Sequence, residues 1–218
     1  MAGTAEMLTA AEAAVVARVS LRDVNRTIDE HILPGDLYRI DDGRHVLADA
    51  CPLISFYFET ADQLTAEARL DVIRSVSPRL SASKHGQAPE AVAKEYWTIH
   101  VAFLTIDLAP FAHRAAERLK RLRKARDMVV SAPEILGGLP VIRGTRVPVY
   151  DVAASLSAGV PVASILAAYP TLDAEKVELA GIYADANPPR GRPRHRSALP
   201  KGATLISERR LPRRSPAG

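Results

Sequence analysis

The chain of 218 residues is 47% hydrophobic and 25% charged, with a net charge of +4, the balance of a globular protein with one large or two small domains. No apolar run approaches the length that crosses a bilayer, and the Ala-rich start carries Glu6 and Glu12 where a signal peptide would be basic and then apolar, so no membrane association and a cytoplasmic location are expected. Cys51 is the single cysteine, which excludes an internal disulfide, and none of the six histidines joins it at metal-ligand spacing, so neither a metal nor another cofactor is expected.

Thr9-Ala10-Ala11-Glu12 has the form of a capping box, in which a hydroxyl and a carboxylate satisfy each other's orphan amides at a helix start. A short helix is expected to about Ala17. Ser20 is a second good N-cap, and Leu21, Val24 and Ile28 recur at helical spacing, predicting a second helix over 21–30 with those three side chains inward. Leu37–Ile40 and His45–Leu47 then flank Asp41-Asp42-Gly43-Arg44, a turn whose Asp and Gly tolerate the positive φ of a tight hairpin. Helices are expected over 48–58 and 65–76, and a loop over 81–90. The stretch 97–108, Trp-Thr-Ile-His-Val-Ala-Phe-Leu-Thr-Ile-Asp-Leu, reads as one strand with one buried face. A helix begun by Pro110 and heavily basic over 118–124 follows, then a short strand at 128–130. A turn-rich segment over 131–148 leads into three helices, over 150–157, 162–168 and 173–186.

Charge is segregated along the chain. From Pro188 to Gly218 nine bases face the single acid Glu208, which gives this tail +8 and leaves −4 for all that precedes it. The tail is too polar and proline-rich to fold alone.

The order helix, turn, helix, β-wing puts the outward residues of the second helix, Ser20, Arg22, Asn25 and Arg26, where a helix-turn-helix reads the major groove. There arginine pairs with guanine and asparagine with adenine. Arg44 at the hairpin is placed to meet a phosphate or the minor groove. A plain solvated helix face is the competing reading, and Asp23 and Asp29, which repel phosphates, favour it. The arrangement resembles the winged helix of excisionase and MerR-type regulators.

The stretch 138–149, Gly-Leu-Pro-Val-Ile-Arg-Gly-Thr-Arg-Val-Pro-Val, with Ala168-Tyr169-Pro170-Thr171-Leu172, resembles the domain of unknown function family 433 over about 130–186. Members resemble antitoxins of the VapB type, encoded beside toxins of PIN-like ribonuclease fold. That resemblance implies a toxin-binding role for the tail. Arg190, Arg192, Arg194, Arg196, Arg209 and Arg210 offer guanidinium groups to a carboxylate-lined metal site, and Leu205 and Ile206 offer apolar anchors. In the Gly144-Thr145-Arg146 turn, Gly144 is expected to take an unusual backbone angle, Thr145 to cap, and Arg146 to bond the next element.

These observations predict a mainly α protein with small β elements (α+β). Its expected parts are a winged helix-turn-helix over 1–80, a linker strand and helix over 81–127, a three-helix homeodomain-like module over 128–187, and a disordered basic tail over 188–218. The expected function is that of an antitoxin which dimerises, binds operator DNA and neutralises a PIN-like ribonuclease toxin through the tail. A stand-alone transcription regulator is the alternative. Cys51 lies in an apolar run and is expected to be a buried structural thiol. Asp151, Asp173 and His100 lack a nucleophile, metal or phosphate-loop spacing, so no enzyme is expected.

Overall fold

In the computed structural model, residues 6–82, 97–101 and 104–189 are described. The chain divides by its contacts into two units, Met1–Pro188 and Pro189–Gly218, and the fold below is that of the first. It is mainly helical with small sheets, the α+β class.

The first strand, β1 (Met7–Thr9), was not expected from the sequence and runs straight into helix α1 (Ala10–Ala17). Its last residue is also the helix N-cap. The Thr9 amide donates to Glu12 Oε2 at 2.9 Å and the Glu12 amide donates to Thr9 Oγ1 at 3.3 Å, so the capping box is complete. Arg18, in the left-handed region at φ 56°, ends α1, and α2 (Leu21–Asp29) starts after Ser20. A 3-10 turn at Gly35–Leu37 leads to a hairpin of β2 (Tyr38–Asp41) and β3 (Gly43–Leu47). Strand β3 is central, with β1 and β2 antiparallel on its two sides. Asp41 pairs with Gly43 across the single residue Asp42, and Gly43 takes φ 104°, which a side chain would strain. Arg44 therefore lies within β3 opposite Ile40, one step beyond the tip where the turn reading put it.

Helix α3 (Cys51–Glu59) is apolar almost all round and is the buried centre of this half, with Leu53, Ile54 and Phe56 excluded from solvent. Helix α4 (Ala66–Ala82) extends past the expected end at Val76 and through Pro78. Burial of Val76 and Leu80 holds the chain helical against the backbone hydrogen bond that proline forfeits. The stretch expected to form one strand is instead two, β4 (Thr98–Val101) and β5 (Leu104–Asp107), paired antiparallel with Ile99 opposite Ile106. It supplies its own partner strand. The buried Trp97 and Leu108 close its open end, where the Leu108 amide donates to the Trp97 carbonyl at 2.9 Å.

Helix α5 (Ala109–Met128) continues directly into β6 (Val129–Val130), which pairs antiparallel with β7 (Val141–Ile142). Helices α6 (Val149–Ser157), α7 (Val162–Ala168) and α8 (Ala174–Ala186) complete the unit. Ile142, Val149, Val152, Ile165, Leu172, Val177 and Ala180 form a small separate core among them. The larger core joins α1 to α4 with β4 and with the inner face of α5, through Leu119 and Leu122. Helix α8 packs on α6, α5 and α1.

The basic run of α5 is an ion-pairing seam. Arg123 and Arg126 reach Glu6 at 2.6 and 2.8 Å, and Arg126 also reaches Glu12 at 2.8 Å. Arg121 and Lys124 meet Glu178 and Glu175 of α8 at 2.6 and 2.7 Å. The acids that open the last helix are thus turned to α5.

Candidate nucleic-acid interface

Helix α2 is fixed from both ends, and its partners decide what it presents. At its start Ser20 and Asp23 form a second capping box. The Ser20 hydroxyl donates to Asp23 Oδ2 at 2.6 Å and accepts from the Asp23 amide at 3.1 Å. Asp23, which counted against a phosphate-facing surface, therefore has a local task at the positive end of the helix. Ser20 is equally engaged by this cap.

Inward, Val24 and Ile28 are buried as expected. Leu21 is not. It is 43% exposed, and the third inward place belongs to Thr27, fully buried with its hydroxyl donating to the Val24 carbonyl at 2.7 Å. A threonine in a helix can bury its methyl group while its hydroxyl is satisfied one turn back, so hydropathy alone ranked the wrong residue. The outward face consists of Leu21, Arg22, Asn25, Arg26 and Asp29.

The hairpin is tied to this face by Arg44. Its Nη2 and Nη1 donate to the two oxygens of Asp29 at 2.7 and 3.0 Å, and Nη1 also donates to Asn25 Oδ1 at 3.1 Å. The guanidinium expected to meet a phosphate is thus a clasp between β3 and α2. Asp29, the second acid that argued against DNA, is matched by it. Arg26 donates from Nε to both oxygens of Glu30 at 2.9 Å, which raises the Arg26 pKa and leaves its two Nη groups unpaired among the described residues. Arg22 is exposed and makes no ion pair among the described residues. Ile40, the cross-strand partner of Arg44, is exposed and extends the same corner, while Arg39 is exposed on the other face of β2. Neither they nor the Asp29 clasp stood out in the sequence, since a pairing across fifteen residues leaves no local period.

Three guanidinium groups, Arg22, Arg26 and Arg44, are balanced here by the carboxylates of Asp23, Asp29 and Glu30. These six side chains together therefore carry no net charge.

The other sequence candidates divide clearly. Arg190, Arg192, Arg194, Arg196, Leu205, Ile206, Arg209 and Arg210 lie outside the described residues. In the Gly-Thr-Arg turn, Gly144 takes φ 77°. Thr145 Oγ1 donates to the Ile142 carbonyl at 2.7 Å and accepts from the Val147 amide at 3.1 Å. Arg146 is exposed, with no hydrogen bond or ion pair among the described residues. The bonding role expected of it belongs to Arg143, whose amide and Nε donate to the carbonyls of Met128 and Asp127 at the end of α5. Those carbonyls are among the last four, which a helix cannot satisfy internally.

Cys51 is fully buried, and burial pushes its thiol up in pKa, away from the reactive thiolate. Asp173 caps α8 by accepting from the Lys176 amide at 2.8 Å, and His100 Nδ1 lies 3.0 Å from Thr105 Oγ1. Among the described residues no three His, Cys, Asp or Glu side chains come together as a metal site, and no helix is long and apolar enough to cross a membrane.

Residues 129–184 match the family described as "Protein of unknown function (DUF433)". Over 219 aligned residues, the whole of this chain and 98% of the other, the sequence is 58% identical to the "Uncharacterized protein y4eO" of Sinorhizobium fredii (strain NBRC 101917 / NGR234). No solved structure matches the chain.

Proposed function

The chain belongs to one family with the Sinorhizobium fredii protein y4eO and has a DUF433 domain at residues 129–184, and from that premise we propose that it is a DNA-binding regulator of the antitoxin type. In this reading α1, α2 and the β2–β3 hairpin form a winged helix-turn-helix, and α2 enters the major groove. The observation that carries it is the outward pair Arg22 and Arg26, on a helix braced at both ends: Arg22 has no ion pair among the described residues, and Arg26, though held by Glu30 at Nε, keeps both Nη groups unpaired among them. Such groups make the two parallel hydrogen bonds that single out guanine. Ser20 holds the helix start, Asn25 offers a third base contact, and Arg44 acts on DNA by positioning the hairpin.

The remaining parts follow the antitoxin logic drawn from the VapB resemblance. The protein acts as a homodimer on a two-fold operator, and the basic tail, with Arg190, Arg192, Arg194, Arg196, Leu205, Ile206, Arg209 and Arg210, folds onto a PIN-like ribonuclease toxin. The protein itself catalyses nothing.

The test is fluorescence anisotropy of the full chain on labelled duplex from upstream of its own gene, against an unrelated duplex as competitor. Changing both Arg22 and Arg26 to Ala lowers specific affinity by about tenfold or more per arginine, while stability stays within about 0.5 kcal/mol because both side chains are exposed. Equal affinity of the native and changed chains on every duplex would overturn the assignment.

A further inference from the structure

Resting on the reading of α2 as the groove-entering helix, we infer that the Asp29–Arg44 clasp makes Asn25 a donor-only reader. The chain then selects guanine or thymine at the Asn25 contact and discriminates against adenine.

An asparagine amide carries one acceptor, Oδ1, and two N–H donors on Nδ2. Reading adenine uses both ends at once, with the oxygen accepting from N6 and the nitrogen donating to N7. In this protein the ends are separated by a third group. Arg44 Nη1 lies 3.1 Å from Asn25 Oδ1, and a guanidinium only donates, so the oxygen must be the atom that faces it. Flipping the amide would set its NH2 against a cation. Nor can Arg44 turn away freely. Two bonds to Asp29, at 2.7 and 3.0 Å, hold its plane, and Nη1 also donates toward the Asn25 carbonyl at 3.4 Å.

What remains to face a base is Nδ2, which has no partner among the described residues. Guanine O6 and N7 and thymine O4 accept from it. Adenine N7 accepts from it too, but that pose sets adenine's amino group against the second lone pair of an oxygen already bonded to a positive charge.

The rest of the face agrees. Each of its carboxylates accepts from an internal donor: Asp23 from Ser20, Asp29 from Arg44, Glu30 from Arg26. Its unpaired polar groups, on Arg22, Asn25 and Arg26, all donate. The exposed Leu21 beside them suits the methyl group that distinguishes thymine. Asp29 and Arg44 are thus positioning residues that set base preference from outside the contact.

Selection of bound duplexes from a randomised pool by the full chain tests this. The native protein yields a motif with one column of guanine or thymine, depleted of adenine, and Asn25→Ala erases that column's preference. Arg44→Met and Asp29→Asn release the amide and shift the same column toward adenine by about tenfold, with the other columns kept, which also certifies folding. An adenine preference in the native column that Asn25→Ala erases overturns the inference, whether or not either variant folds. So does a column left unchanged by both variants. In both cases the DNA-binding reading survives, because a motif was selected. A pool that yields no motif removes both.

Discussion

Glu12 and Arg126 stand 114 positions apart in the chain and meet with Arg126 Nη2 2.8 Å from Glu12 Oε1. The same carboxylate closes the capping box at Thr9 through its other oxygen. One side chain therefore starts α1 and anchors the end of α5, so the packing of the first helices and the position of the C-terminal module share a joint.

Arg126→Met tests that joint, together with the Arg126 pairing to Glu6. The Glu12 side chain is only 10% exposed, and removing its cation leaves a desolvated carboxylate. Breaking a fully buried pair costs about 3–5 kcal/mol. Arg126 keeps 30% of its side chain in solvent, so screening reduces the expected loss to about 2 kcal/mol. Urea denaturation at neutral pH measures it, and a loss below about 0.5 kcal/mol would reduce the seam to a surface ornament.

The acids near this seam respond to pH in opposite directions. Burial pushes Glu6 up, but hydrogen bonds from Arg123 and Arg126 outweigh it and hold its pKa below 4.5. Its contribution to stability is thus complete above 4.5 and disappears as pH falls through the lowered value. Asp49 is the reverse case, with burial raising its pKa above 3.8 despite Arg123 nearby. Its ionisation therefore destabilises the fold as pH rises through the raised value. Asp49→Asn is expected to raise the melting temperature at neutral pH, and the gain is expected to vanish below 3.8. A gain independent of pH would show that charge at this position is not the cause.

The local caps were legible in the sequence because their chemistry is complete within four residues. Thr9 with Glu12, and Ser20 as the start of α2, could be read directly, and so could three short helices after Pro148. The misreadings share a cause. Leu21 and Thr27 exchanged places because a threonine hydroxyl can be satisfied by its own helix. The stretch from Trp97 to Leu108 looked like one strand because alternation is unchanged when a chain folds back on itself. The Asp29–Arg44 clasp, the Glu6–Arg123 pair and β1 all depend on partners far away in the chain, and no local period encodes these.

The turn at Gly144 separates two roles that the motif runs together. Thr145→Val keeps the shape but loses a donated and an accepted hydrogen bond, at 2.7 and 3.1 Å. The expected cost is about 1–2 kcal/mol. Arg146→Ala removes an exposed side chain with no partner among the described residues, and stability is expected to stay within about 0.5 kcal/mol. Thermal denaturation of the two variants side by side checks the order. Should Arg146→Ala be the costlier, the turn is held in a different way, and Arg146 is the residue to follow.

The tail can be removed at a point the fold itself marks. Asn187 ends α8 with its amide and Nδ2 donating to the Tyr183 carbonyl at 2.9 and 3.0 Å, and its own carbonyl accepts from the Tyr150 hydroxyl at 2.8 Å. A stop after Pro188 keeps all three bonds and both apolar cores, while deleting nine bases and one acid. This shortened chain is expected to melt with the intact one, because no described element is lost, and to retain its selected DNA motif, because Arg22, Asn25 and Arg26 remain. It is also expected to lose the ability to restrain a co-expressed PIN-like ribonuclease, since the proposed contact with the toxin's carboxylates needs the tail's guanidinium groups. Growth of cells expressing the toxin with either chain measures the difference. Full protection by the shortened chain would move toxin recognition onto the folded unit, where Arg146 and the exposed Leu136 and Leu139 beside β7 become the residues to change next.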